Sequence, residues 1–243
     1  MRSPLAICVP VALVSALGVA CGGSQNVAID PKVEAAQPRP ERDPGPCPLP
    51  IAEIRATAAR ATFVLPPSAW GTMQLVTVPE AERDDEITYT YELRDERGLD
   101  TGAETYVCDG DGVALQRVEG LRETVHFSPP VITLPTATSG GSAGSSFMVT
   151  ETWSRAYPYK FWYVMEPAEP AEGFADLDAS WRRVQTRLIM DVEGVEHEWV
   201  TETLWAISDR FILPLHRHQR ISGPDGESER REVGERVIVS PRL

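Results

Sequence analysis

From Glu86 onward, apolar and polar residues alternate almost one for one. Ile87, Tyr89, Tyr91 and Leu93 fall on one side of an extended chain, and Thr88, Thr90 and Glu92 on the other, the period-two pattern of a half-buried strand. Asp95-Glu96-Arg97-Gly98 supplies a turn, Thr105–Cys108 returns, and Asp109-Gly110-Asp111-Gly112 is a hairpin turn into Val113–Val118. Further strands are expected over Phe147–Trp153, Tyr157–Met165, Val184–Val192, Val195–Trp205, Arg210–Ile221 and Arg236–Ser240, with turns at Glu193-Gly194 and Gly223-Pro224-Asp225-Gly226. Helical spacing is confined to Ile51–Ala61 and a short piece around Phe174–Trp181. The expected fold is mainly β: a strongly curved antiparallel sheet, a half-barrel or open barrel, with one or two short helices. Two readings of the small-residue run Ser139–Ser146 are open, a linker between halves 62–135 and 147–243 or a loop within one sheet. Phe63-Val64-Leu65-Pro66 and Ile132-Thr133-Leu134-Pro135 begin the two halves alike, as a duplicated unit would.

The pattern before this domain differs. Met1-Arg2-Ser3 is a minimal basic start, Leu5 to Leu17 is apolar, and Gly18-Val19-Ala20-Cys21 ends the stretch in small residues and a cysteine. That order is a secretory signal, too short for a bilayer span of about 20 residues. It resembles the signal of bacterial lipoproteins, with Gly18 where the family usually has leucine. The resemblance implies a signal peptide over 1–20, lipidation of Cys21 with palmitate or a similar chain, and attachment to a membrane. Gly22 rather than aspartate after the cysteine implies the outer membrane, facing the periplasm. The alternative is a soluble exported protein cleaved near the same place. From Gly22 to Pro46, Pro31, Pro38, Pro40, Pro44 and Pro46 punctuate alanines and charges, so 21–46 is expected to be a lipidated, disordered tether and 47–243 the folded domain. The strand rhythm of residues 62–240 is similar to that of periplasmic half-barrel lipoprotein carriers and receptors, which implies a fold without naming an activity.

Composition narrows the partners. The 243-residue chain has 23 basic and 36 acidic residues, for a net charge of −13; arginine is the basic residue of choice, lysine appearing only at Lys32 and Lys160. Removing Arg2 with the signal leaves 22 − 36 = −14, a field that repels polynucleotides, so no nucleic-acid partner is expected. With Cys8 in the signal and Cys21 acylated, Cys47 and Cys108 remain in an oxidising compartment, where a disulfide is the expected state and two free thiols the alternative.

Little of the polar chemistry converges. His216-Arg217-His218 places two imidazoles on one strand face, a zinc-like spacing, and His197 between Glu196 and Glu198 is a third candidate ligand. A polar outer face explains them as well, and no metal or other cofactor is expected. Asp109-x-Asp111-Gly112 starts like a calcium loop, but Gly120 occupies the twelfth position, where glutamate is needed. Gly140-x-Ser142-x-Gly144 spells a nucleophile motif without the strand-turn-helix it requires. The acidic pairs Asp84-Asp85 and Glu229/Glu232 read as solvated charge beside turns. The densest feature is Tyr157-Pro158-Tyr159-Lys160-Phe161-Trp162-Tyr163, in which Tyr157, Tyr159, Phe161 and Tyr163 share a face that is either an apolar ligand surface or core. Together these features point to a membrane-anchored envelope lipoprotein that binds or scaffolds an apolar ligand or envelope protein. A purely structural component and an anchored hydrolase are the alternatives.

Overall fold

The computed structural model describes residues 45–64, 71–78, 83–95, 98–120, 123–150, 154–224 and 226–241. The expected signal, Cys21 and nearly all of the tether lie outside them, as do Trp70, Trp153 and parts of the turns expected at Glu96-Arg97 and Asp225. Among the described residues, one short helix, α1 (Ile51–Arg55), precedes twelve strands: β1 (Thr57–Val64), β2 (Thr72–Val78), β3 (Glu86–Asp95), β4 (Gly98–Asp109), β5 (Gly112–Glu119), β6 (Glu123–Pro135), β7 (Ser139–Thr150), β8 (Ser154–Pro167), β9 (Ser180–Val192), β10 (Val195–Ile207), β11 (Ile212–Gly223) and β12 (Gly226–Pro241). Each strand pairs antiparallel with the next, and β1 pairs with β12, so the sheet closes on itself as a barrel with no free edge. The expected mainly β, strongly curved antiparallel sheet is present, and its curvature runs to full closure.

Several elements differ from expectation. The helix stops at Arg55 instead of running to Ala61, because Thr57, Ala59, Ala61 and Phe63 are spent on the inward face of β1; sheet closure overrides the helix propensity of the alanines. Phe174–Trp181 is no helix: Gly173 takes a positive φ of 81°, isolated turns follow, and Phe174 packs on Trp181 at 6.5 Å between ring centroids. The small-residue run is neither linker nor loop. It is the first two-thirds of β7, and at Gly144 its smallness has a steric cause: a Cβ there would lie 2.3 Å from the Ser128 carbonyl oxygen and 2.5 Å from Pro129 Cδ. The strands of 62–135 and 147–243 therefore belong to one sheet, joined by the β6–β7 ladder from Glu123↔Thr150 to Ser128↔Ser145. At the β9–β10 turn, Glu193 and Gly194 both have positive φ, 57° and 84°, the twist a two-residue hairpin needs.

A barrel of eight strands is just filled by its side chains, and more strands leave room unless the walls approach. Here they approach. Tyr106 on β4 and Trp205 on β10 stand six places apart around a ring of twelve, on opposite walls, yet their rings meet edge-on at 6.3 Å. The Tyr89 hydroxyl on β3 likewise reaches across to donate to the Ile212 carbonyl on β11. The barrel is thus flattened, with a core running from Ala59 and Phe63 through Leu75, Ile87, Val125, Tyr163, Val184, Met190 and Leu215. Ion pairs lie along the outside: Arg187 Nε is 2.6 Å from Glu198, with its guanidinium over the Trp162 ring at 5.6 Å, and Arg231 Nη2 is 2.7 Å from Glu229. This polarity is the reverse of a membrane-spanning barrel, whose apolar side faces lipid. Cys47 and Cys108 are joined as a disulfide at 1.99 Å, tying the segment before α1 to the end of β4, while Ile51 and Ile54 of α1 are buried in the core. Closing a loop of 61 residues is worth about 4 kcal/mol on the chain-entropy account.

Candidate functional site

Between the wall of β8 to β11 and that of β4 to β6 lies a pocket of about 70 Å³. Alternation builds its lining. On β10, Trp199, Thr201, Thr203 and Trp205 face inward; on β11, Arg217 and Gln219 do; β9 adds Thr186 and Leu188, and β8 adds Phe161. Tyr106, Leu115, Val131 and Thr133 line it from β4, β5 and β6.

The polar side of this interior is charged. Arg217 Nη1 lies 3.6 Å from Glu104 Oε1 and 3.5 Å from Glu232 Oε2, and Arg230 Nη2 lies 2.8 Å from Glu232 Oε1. The Tyr106 hydroxyl donates to Glu104 Oε2 at 2.5 Å, and Gln219 Nε2 donates to Thr201 Oγ1 at 3.0 Å. Glu104 and Glu232 are 4% and 2% exposed. Burial acts to lower the pKa of Arg217, but Glu232 and Glu104 outweigh it and hold the guanidinium charged above its ordinary value. Burial, then the charge of Glu104, pushes the Tyr106 phenol well above its usual range, so it stays a donor. Two carboxylates and two guanidinium groups leave this cluster with no net charge. The indole N–H groups of Trp199 and Trp205, in residues 3% and 2% exposed, have no acceptor.

The residues singled out from sequence fall in several places. Tyr157, Tyr159, Phe161 and Tyr163 do share a face, but it is the closed interior, at 3%, 3%, 2% and 0% exposure. They form no open groove; of the four, Phe161 alone lines the pocket. The Tyr159 hydroxyl donates to the Pro129 carbonyl, and its ring meets Phe127 edge-on at 5.9 Å. His216 and His218 lie outside, alternating with the inward Arg217 and Gln219, and His218 Nε2 is hydrogen-bonded to Glu229. His197 lies in phase with the inward residues of β10 and stacks on Trp199 at 6.0 Å, so the sheet wall separates it from the other two imidazoles. No group of three metal-ligating side chains occurs among the described residues. Ser142 is mid-strand in β7, opposite Phe161, and its buried hydroxyl has no histidine partner. Asp109 and Asp111 make the β4–β5 hairpin, the Asp111 N–H donating to Asp109 Oδ1 at 2.8 Å. Glu232, expected as solvated charge, is buried against Arg217 and Arg230, because its strand turns that side inward. Sequence reasoning did not find Glu104, Arg217, Trp199 and Trp205 as a group; their shared signal is inward phase on strands that meet only once the barrel closes.

No protein-family model matches the chain, and no curated protein and no solved structure does either.

Proposed function

We propose that the protein is a membrane-anchored envelope lipoprotein whose barrel is a binding module for a small, largely apolar ligand. The observation that carries this reading is the interior of the barrel. A structural core gains little from burying charged groups, since well-packed apolar residues of similar volume are often as stable or more so. Here Arg217, the one member of the buried ion cluster that lines the pocket, and two indole donors without acceptors border the same space. The anchor rests on the signal-like start and Cys21. A ligand site carried on a tether of about 25 residues fits a chain that samples the space beside a membrane.

The test has two arms. Cys21→Ala is expected to abolish palmitate labelling and release the protein from membranes; label retained in the variant overturns the anchor. Mass spectrometry of small molecules extracted from the mature protein, purified from its own membranes, is expected to show a compound enriched over a control in which Phe161→Trp fills the pocket. Equal extracts from both proteins overturn the binding module. The structural-component reading is favoured by one observation, the flattened and nearly filled core, and equal extracts are its expected result.

A further inference from the structure

We infer that the interior pocket selects a compact, uncharged ligand bearing a hydrogen-bond acceptor oxygen, taken by the indole N–H groups of Trp199 and Trp205; this rests on the binding-module reading above. The pocket has two chemistries. Phe161, Leu115, Val131 and Leu188 give it an apolar wall. Beside Thr133, Thr186, Thr201, Thr203 and Gln219, which can both donate and accept, stand two groups that can only donate: the indole nitrogens of Trp199 and Trp205 have no acceptor, and both residues are at least 97% buried. A buried donor left unpaired costs more than a typical hydrogen bond returns, so an acceptor oxygen is the ligand group that gains most from this wall.

The charge of the ligand follows from its neighbours. Arg217, the charged side chain on the pocket wall, is already matched by Glu104 and Glu232 behind it, so a buried anion has no uncompensated cation waiting for it. A neutral carbonyl, ether or hydroxyl oxygen satisfies the indoles without adding a buried charge. Size sets the last limit. About 70 Å³ is roughly half the ~150 Å³ cavity known to take benzene, which leaves room for about four heavy atoms or the carbonyl end of a larger molecule. The same space holds a few waters, and water is the competitor.

Three isosteres distinguish these ideas: acetone, isobutene and acetate, titrated into the protein with ¹⁵N-indole-labelled tryptophan. Acetone is expected to shift the Trp199 and Trp205 Nε1–H resonances downfield in a saturable way and to bind more tightly than either of the others. Trp199→Phe and Trp205→Phe keep the ring and remove the donor; each is expected to weaken acetone about threefold to tenfold, the factor of one hydrogen bond. Unchanged melting temperatures in the two variants show that the fold is intact. Isobutene binding as tightly as acetone overturns the acceptor inference and leaves the binding module standing. Acetate binding more tightly than acetone overturns the neutral-ligand inference. If none of the three enters and the indole protons report long-lived water, the inference and the binding module both fall.

Discussion

The two sides of the barrel interior are built on different principles. On the side formed by β6, β7 and β8, Phe127 meets Tyr159 and Phe161 meets Tyr163 ring to ring, with Tyr157 buried beside them, and the Tyr159 hydroxyl reaches the Pro129 carbonyl. On the side formed by β4, β11 and β12, Glu104, Arg217, Arg230 and Glu232 hold one another in charge-neutral contact across walls that are distant in the sheet order. The first side is stable through area removed from water, which any well-fitting apolar set supplies. The second is stable only as a set, because each ion answers for another. The pocket lies where the two sides meet, with Phe161 from one and Arg217 from the other.

Substitutions separate the two principles. Arg217→Met leaves two buried carboxylates without their shared cation, and is expected to destabilise the barrel by about 5 kcal/mol, the upper end for breaking a buried pair. Adding Glu104→Gln and Glu232→Gln to Arg217→Met is expected to recover most of that loss in a urea titration. If the triple variant is no more stable than Arg217→Met, the cluster is not acting as a set. Phe161→Ala removes apolar volume, and is expected to cost about 4 kcal/mol by leaving a cavity. No second substitution of a charged residue should rescue it, and a loss below about 1 kcal/mol means that the pocket already supplied the missing space.

These two sides were unequally legible in the chain. Tyr157 to Tyr163 stand out as one strand face, ligand surface or core, and closure of the barrel makes it core; the same alternation groups Ile87, Tyr89, Tyr91 and Leu93 on one face, which the barrel buries. The charged side looked like surface. In Leu215-His216-Arg217-His218-Gln219, both faces of the strand carry polar groups, so period two reveals that faces exist without saying which is inside. Attention goes to the histidines, yet the inward residues are Arg217 and Gln219 between them. Glu104 and Glu232 are separated from each other by more than half of the chain, and only the β1–β12 closure brings β4 and β12 to face one another. Closure itself is a long-range event that local pattern does not encode, which is why a half-barrel and a full barrel read alike. The Gly and Ser run of β7 misled for a related reason: its small residues answer to the close approach of β6, a tertiary demand, and resemble linker composition by coincidence.

A smaller effect sharpens the aromatic side. Tyr159→Phe keeps the ring and its contact with Phe127 but leaves the Pro129 carbonyl without its donor. The expected loss is about 1 kcal/mol, the usual net value of one hydrogen bond, read as a shift in urea midpoint at constant slope. A loss as large as that of Phe161→Ala means that the hydroxyl organises the side rather than decorating it.

The smallest expected effect lies on the outer surface and depends on pH. His126, beside Arg117 and Glu119, and His216, near Glu202, His218, Arg231 and Arg183, are both partly buried. Burial, chiefly, lowers the pKa of each from the ordinary value of 6.5. In each case the folded state prefers the neutral ring more strongly than the unfolded chain does. Above pH 6.5 both rings are neutral in both states, and the contribution to stability is fully present. As pH falls below 6.5, the unfolded chain takes up protons first, and stability is lost until the folded pKa is passed. Glu229 acts in a separate, lower window. Burial works against its ionised form, but hydrogen bonds from Arg231 and His218 win and hold its pKa below the ordinary carboxylate value of 4.5, so its contribution declines only below that pH. Urea titrations at pH 7.5, 6.5 and 5.5 are expected to show a shallow fall in stability across the upper window, and His126→Gln with His216→Gln should flatten it. If the double variant keeps the whole slope, the loss does not come from these two rings and the account of the upper window falls.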